Sequence, residues 1–187
     1  MEQIEFPRDF KEFLRLLHDH EVEYLLVGGF AVALHGYART TADIDVWVSR
    51  RRDNAERLVD CLREFGFDLP ELTPEVFEAP DRIIRMGEAP LRIEVLTDID
   101  GVEFDGCQQR AVLHEIDGES IRVISLADLK INKRASGRPK DLADIEDRHA
   151  RLFERARELQ RRLAAELHDH AVRFEVLHVN GHRLSGD

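Results

Sequence analysis

The chain has 187 residues, a formal net charge of −11, 43% hydrophobic residues and 35% charged ones. Such a length suits one full domain, or a catalytic domain with a helical appendage. The acidic balance argues against broad, non-specific nucleic-acid binding, which needs a basic surface to displace counterions. No apolar run approaches the roughly 18 residues a membrane helix needs, and the start Met1-Glu2-Gln3-Ile4-Glu5 lacks the basic and apolar regions of a signal peptide. A cytoplasmic protein with no membrane partner is therefore expected. Two cysteines occur, Cys61 in a predicted helix and Cys107 in a predicted strand. Without CxxC spacing they read as reduced thiols rather than as ligands.

Pro7 at a first helical position, then Phe10, Phe13, Leu14 and Leu17, predicts an amphipathic helix of about 13 residues packed on a sheet. His18-Asp19-His20 ends it, and His168-Asp169-His170 occurs late in the chain. Each histidine pair reads as a metal site or, more simply, as imidazoles favoured by a helix C-terminus. The apolar stretch 24–27 predicts a strand, which meets Gly28-Gly29 and then a short helix. Backbone N–H groups left unpaired at such a helix start can hold a phosphate. The next strand opens with Asp43 and Asp45, two residues apart, so both carboxylates leave one face while Ile44, Val46 and Val48 leave the other. Like charges so close call for a cation. Magnesium is the natural candidate, because all-oxygen ligands suit a hard ion whose remaining positions can be filled by phosphates. Trp47 shares the aspartate face, where it walls a nucleotide site or packs under a neighbouring segment.

Leu58, Val59, Leu62 and Phe65 predict a helix over 53–65 closed by Gly66. Three of the six prolines fall in 69–80, which reads as an irregular excursion. Segments 82–86 and 91–96 predict a hairpin. Within it Glu94 is a mid-strand carboxylate flanked by Ile93 and Val95, where charge is costly unless paired or metal-bound. Asp98 and Asp100 read as turn residues. A second hairpin spans 110–116 and 120–124 around Asp117-Gly118. Ser125 caps a helix from Leu126 that stops at Gly137. Beyond it, apolar or neutral positions at spacings of three and four predict a long helix over 140–168, about 40 Å at 1.5 Å per residue. It folds back on its own domain, dimerises or docks a partner. Residues 171–179 read as a last strand.

The Gly28-Gly29 pair, a short helix, then Arg39-x-Thr41-x-Asp43-x-Asp45 resembles the signature of the DNA-polymerase-β-like nucleotidyltransferase superfamily. Within it the chain looks like the small bacterial branch of abortive-infection-type toxins, minimal nucleotidyltransferase antitoxins and antibiotic nucleotidyltransferases. The segment Lys133-x-x-x-Gly137-Arg138-x-Lys140-Asp141-x-x-Asp144 is similar to an element that follows the catalytic strands in that branch. Alone, its basic residues would read as a solvated cap with pairs such as Lys140 with Asp144. The chain departs from the commonest pattern at Gly29, where many members carry serine; a hydroxyl is lost but the backbone donor stays.

The resemblance implies an α+β fold: a mixed β-sheet with helices packed on one face, plus a long C-terminal helix. It sets a nucleotidyltransferase core over 1–137 and a helical extension over 138–187, packed on the core or on a partner. The implied reaction moves a nucleoside monophosphate from a nucleoside triphosphate such as ATP to a protein, an RNA end or a small molecule, in a toxin–antitoxin or phage-defence setting. Asp43, Asp45 and Glu94 would hold two Mg²⁺ or Mn²⁺ ions. Gly28, Gly29, Arg39 and Thr41 would hold the nucleotide, and Lys133 would neutralise the leaving group. Expected partners are the nucleoside triphosphate and a cognate protein or second copy on the C-terminal helix. Transfer RNA is disfavoured by the acidic charge. The alternative is a catalytically silent protein of the same fold that binds a partner as an antitoxin does.

Overall fold

The computed structural model describes residues 6–36, 41–87 and 91–137. The chain divides into two units, Met1–Leu142 and Ala143–Asp187, and every described residue belongs to the first. The predicted long helix, the last strand, the second histidine pair and the expected extension over 138–187 lie outside the described residues, as does Arg39.

Six strands form one mixed sheet in the order β3-β4-β2-β1-β6-β5. They are β1 (Tyr24–Val27), β2 (Asp43–Val48), β3 (Ile83–Met86), β4 (Arg92–Leu96), β5 (Val112–Ile116) and β6 (Glu119–Val123). β1 runs antiparallel to β2 and parallel to β6; β2 runs parallel to β4; β3 and β5 close the two edges as antiparallel hairpin strands. With its helices this is the expected α+β architecture. Ile44, Val46 and Val48 of β2 and Ile93 and Val95 of β4 are all buried, so one side of the central strands is committed to the core. That burial pins the register, since a one-residue slip would turn those side chains out.

Helix α1 (Arg8–Asp19) presents Phe10, Phe13, Leu14 and Leu17 to the core, as its spacing requires. Pro7 stands at the N-cap, one position ahead of the first helical residue. Helix α3 (Arg52–Glu64) matches the stripe read from the sequence and is followed by Gly66 at φ +109. Phe13 meets Phe65 with ring centroids 5.2 Å apart, and His20 Nε2 lies 2.8 Å from Glu64 Oε2, so the ends of α1 and α3 are tied together. The ring of His20 is thus taken up by a carboxylate at the helix end.

Two elements differ from the sequence expectation. Residues 69–80 are not simply irregular: Pro74–Glu78 form α4, with Thr73 at its N-cap and Phe77 fully buried. Arg52 reaches Glu75 at 2.6 Å and Glu78 at 2.7 Å, which ties α4 to α3. A five-residue helix opening on proline is too short to show a period. Cys107 lies in helix α5 (Phe104–Gln109), not in a strand. Both thiols are buried and unbridged, and burial pushes them up, Cys61 to about 12 and Cys107 to about 11, so both stay protonated at neutral pH. Among the described residues no helix is long and apolar enough to cross a membrane.

Helix α6 (Leu126–Ser136) begins at Ser125, whose Oγ accepts from the Asp128 N–H at 3.2 Å, and ends at Gly137 in the left-handed conformation, φ +61. Asp128 is buried. Its carboxylate accepts from Ser125 Oγ at 2.6 Å and from Arg110 Nε and Nη2 at 3.0 and 2.8 Å. The Arg110 guanidinium holds the Asp128 carboxyl below its ordinary 3.8. The pair's contribution is therefore complete above that value and lost as pH falls through the lower folded-state value. Removing Arg110 leaves a buried carboxylate, whereas removing Asp128 leaves a guanidinium that water can reach. Arg110→Ala is expected to destabilise the protein at pH 7, and by more than Asp128→Ala does, with the Arg110 deficit shrinking in acid. Urea unfolding at pH 7 and well below pH 3.8 reads both.

Candidate active site

The site is built where β1 ends. Val27 lies opposite Asp45 across the β1–β2 ladder, and the chain then turns through Gly28 into α2 (Gly28–Leu34). Gly28 sits at φ +63, and a Cβ there would run into the Asp45 carboxylate. A Cβ on Gly29 would come within 2.6 Å of Thr41 Oγ1. The glycine pair is required first for room: any larger residue would push Asp45 and Thr41 away. The Gly29 N–H points at Asp45 Oδ2 at 3.4 Å, a weak bond that leaves the donor able to change partners. Thr41 Oγ1 donates to the Asp43 carbonyl at 3.2 Å, which fixes the entry to β2.

β2 and β4 pair in parallel with Asp43 opposite Arg92 and Asp45 opposite Glu94. Directly opposed residues share a sheet face, so all three predicted carboxylates lie on one face of adjacent strands. Glu94 carries only 15% exposure of its side chain, and its partner is a residue the sequence reading did not single out: Arg85 of β3, whose Nε donates to Glu94 Oε1 at 2.7 Å. The alternation of 82–86 against 91–96 was the available signal, since it puts a basic residue on the face of Glu94. Lys133 of α6 is 6% exposed, and its charge acts on Asp45. The loop after β4 seats α6, because a Cβ on Gly101 would lie 2.6 Å from Ala135 Cβ and Asn132 Nδ2 donates to the Asp100 carbonyl at 3.0 Å. Asp98 and Asp100 do sit in that turn, and Asp98 pairs with Arg50 at 3.3 Å.

Trp47 is fully buried. Its Nε1 donates to the Thr97 carbonyl at 3.3 Å, and its ring meets Phe104 edge-on at 5.1 Å, so it packs under α5 and does not wall the site.

The fit to a divalent cation rests on this donor set. Burial, then the negative charge of Glu94, and less strongly that of Asp43, push the Asp45 carboxyl up from 3.8 to about 6, against the lowering effects of the Gly29 N–H and of Lys133. A carboxylate held reluctant to ionise by burial and by two other carboxylates on the same sheet face is the chemistry a hard cation relieves. Among the described residues no three His, Cys, Asp or Glu side chains yet stand together as a metal-holding group. Glu94 is turned to Arg85 instead. The residues fit the ion in kind and in strand position.

The family model described as "Nucleotidyltransferase of unknown function (DUF6036)" matches residues 8–155. The chain belongs to that family of nucleotidyltransferases. Among solved structures it is similar to a "putative nucleotidyltransferase" from Thermotoga maritima, at 18% identity and a TM-score of 0.46 over 79% of this chain and 92% of that one. No curated protein matches.

The raised Asp45 pKa fixes a sign. Between 3.8 and about 6 the unfolded carboxyl ionises while the folded one keeps its proton, so stability falls as pH rises through that window and stays lower above it. At one pKa unit per 1.36 kcal/mol, that loss is about 3 kcal/mol. Asp45→Asn should therefore unfold at higher urea than the wild type at pH 7.5 in chelator, by up to about that amount, and show little difference at pH 4. Adding Mg²⁺ at pH 7.5 should raise the melting temperature of the wild type and leave Asp45→Asn unmoved.

Proposed function

We propose that this nucleotidyltransferase transfers a nucleoside monophosphate from a nucleoside triphosphate to an acceptor hydroxyl or amine, and that it depends on Mg²⁺. The observation that carries the reading is the register of β2 with β4, which lines up Asp43, Asp45 and Glu94 on one face beside the glycine turn. The family match supports the transferase class.

In the reaction the acceptor atom bonds to the α-phosphorus, the bond from that phosphorus to the bridging oxygen breaks, pyrophosphate leaves, and the acceptor's proton passes to water. Asp43 and Asp45 would hold Mg²⁺, with Glu94 joining them. Bound Mg²⁺ supplies Lewis-acid stabilisation of the phosphoryl and leaving oxygens. The Gly29 N–H, weakly held by Asp45, would donate to a phosphate oxygen. Thr41, locked between Gly29 and the Asp43 carbonyl, keeps that turn against β2. Lys133 brings a buried positive charge to the same face, where it would offset negative charge on the departing pyrophosphate. Fixed donors and charges of this kind need no rearrangement as the transition state forms.

Incubating the protein with Mg²⁺, each α-labelled nucleoside triphosphate and a cell extract should label one class of molecule, whether protein, RNA or small molecule. Asp45→Asn should lower that labelling by about 100-fold or more. Absence of labelling with every nucleotide, together with absence of Mg²⁺-dependent nucleotide binding, would instead favour a silent, partner-binding protein of the same fold.

A further inference from the structure

One charged row crosses three strands: Arg85 of β3 opposite Glu94 of β4, itself opposite Asp45 of β2. Opposed residues on neighbouring strands lie about 5 Å apart on the same face, so the row reads cation, anion, anion. Glu94 thus stands between a guanidinium on its outer side and, on its inner side, the place where a divalent ion would sit with Asp45. In the structure it is committed to the guanidinium, through Arg85 Nε at 2.7 Å, and this is its one ion pair among the described residues.

We propose that Arg85 is a counter-cation built into the site: it holds Glu94 away from Asp43 and Asp45, and it must release Glu94 before the three carboxylates can close on a divalent cation. The inference rests on the cation-dependent reading above.

Three features support it. The described residues contain no ready-made three-ligand group, although register places the carboxylates on one face. β3 is an edge strand and the Arg85 side chain is 62% exposed, so the pair is open to water and easily exchanged. Its neighbour Met86 is buried and opposite Ile93, which fixes the backbone and leaves the long arginine stem to move.

The test is Mn²⁺ binding to the full chain without nucleotide, followed by the electron-paramagnetic signal of the free ion, for the wild type, Arg85→Ala, Glu94→Gln and the double variant. Arg85→Ala should bind Mn²⁺ about 2- to 5-fold more tightly than the wild type, and the gain should vanish in the Glu94→Gln background, because it passes through Glu94. Arg85→Met, which keeps the aliphatic stem over the sheet edge, should repeat the gain if the alanine variant folds poorly. An equal gain in both backgrounds would reduce Arg85 to a distant charge and overturn the proposal. Unchanged or weaker binding by Arg85→Ala and Arg85→Met would overturn it too, while leaving the cation-dependent reading in place. If neither the wild type nor the Arg85 variants bind Mn²⁺ at millimolar concentration, the cation-dependent reading itself falls.

Discussion

The parallel pairing of β2 with β4 is the constraint on which the site depends. Ile44, Val46, Ile93 and Val95 are buried, and strand alternation then leaves no choice about their neighbours: Asp43, Asp45 and Glu94 must face the other way, together. The apolar side chains thus force three negative charges onto one surface. Folding stability is spent on a clash the protein alone does not resolve, and such unresolved charge is a mark of a binding or catalytic surface.

The surroundings of that face hold the clash in place without removing it. Gly28 has no side chain where Asp45 needs to lie, and its left-handed turn brings the start of α2 against the carboxylate. Lys133 arrives from the far end of the described chain on α6, which is anchored at one end by the Asp128–Arg110 pair and seated by the Gly101 turn. Arg85 takes Glu94 from the outer edge. Two cations therefore flank three carboxylates, one buried and fixed, one exposed and exchangeable.

Much of this was legible in the sequence because period-two alternation carries it. The aspartate pair, the mid-strand Glu94, both hairpins and the Ser125 cap each rest on a local pattern that packing did not overrule. What escaped depended on length or on register. Helix α4 has five residues and no period. Cys107 sits in a six-residue helix that reads equally as a strand. Arg85 was missed because strand pattern gives the face of a residue but not its partner. A hairpin closed tightly over 87–90 would set Arg85 against Arg92, whereas the wider turn sets it against Glu94. Opposed like charges disfavour the first register and opposite charges favour the second, so the signal was present in the charges. The glycine pair reads from sequence as a phosphate cradle, and its more basic role, room for Asp45 and Thr41, shows only in the fold, where both side chains come against the turn.

On the proposed reading a divalent cation binds on the β2–β4 face and not elsewhere on an acidic surface. Amide resonance broadening by sub-stoichiometric Mn²⁺ tests it most directly. The amides of Gly28, Gly29, Ile44, Asp45, Glu94 and Val95 should broaden first, and Asp45→Asn should abolish the effect. Broadening spread evenly over acidic surface residues, or centred on the roughly 250 Å³ cavity at the other end of β1 lined by His18, Glu21, Glu23 and Tyr24, would contradict it.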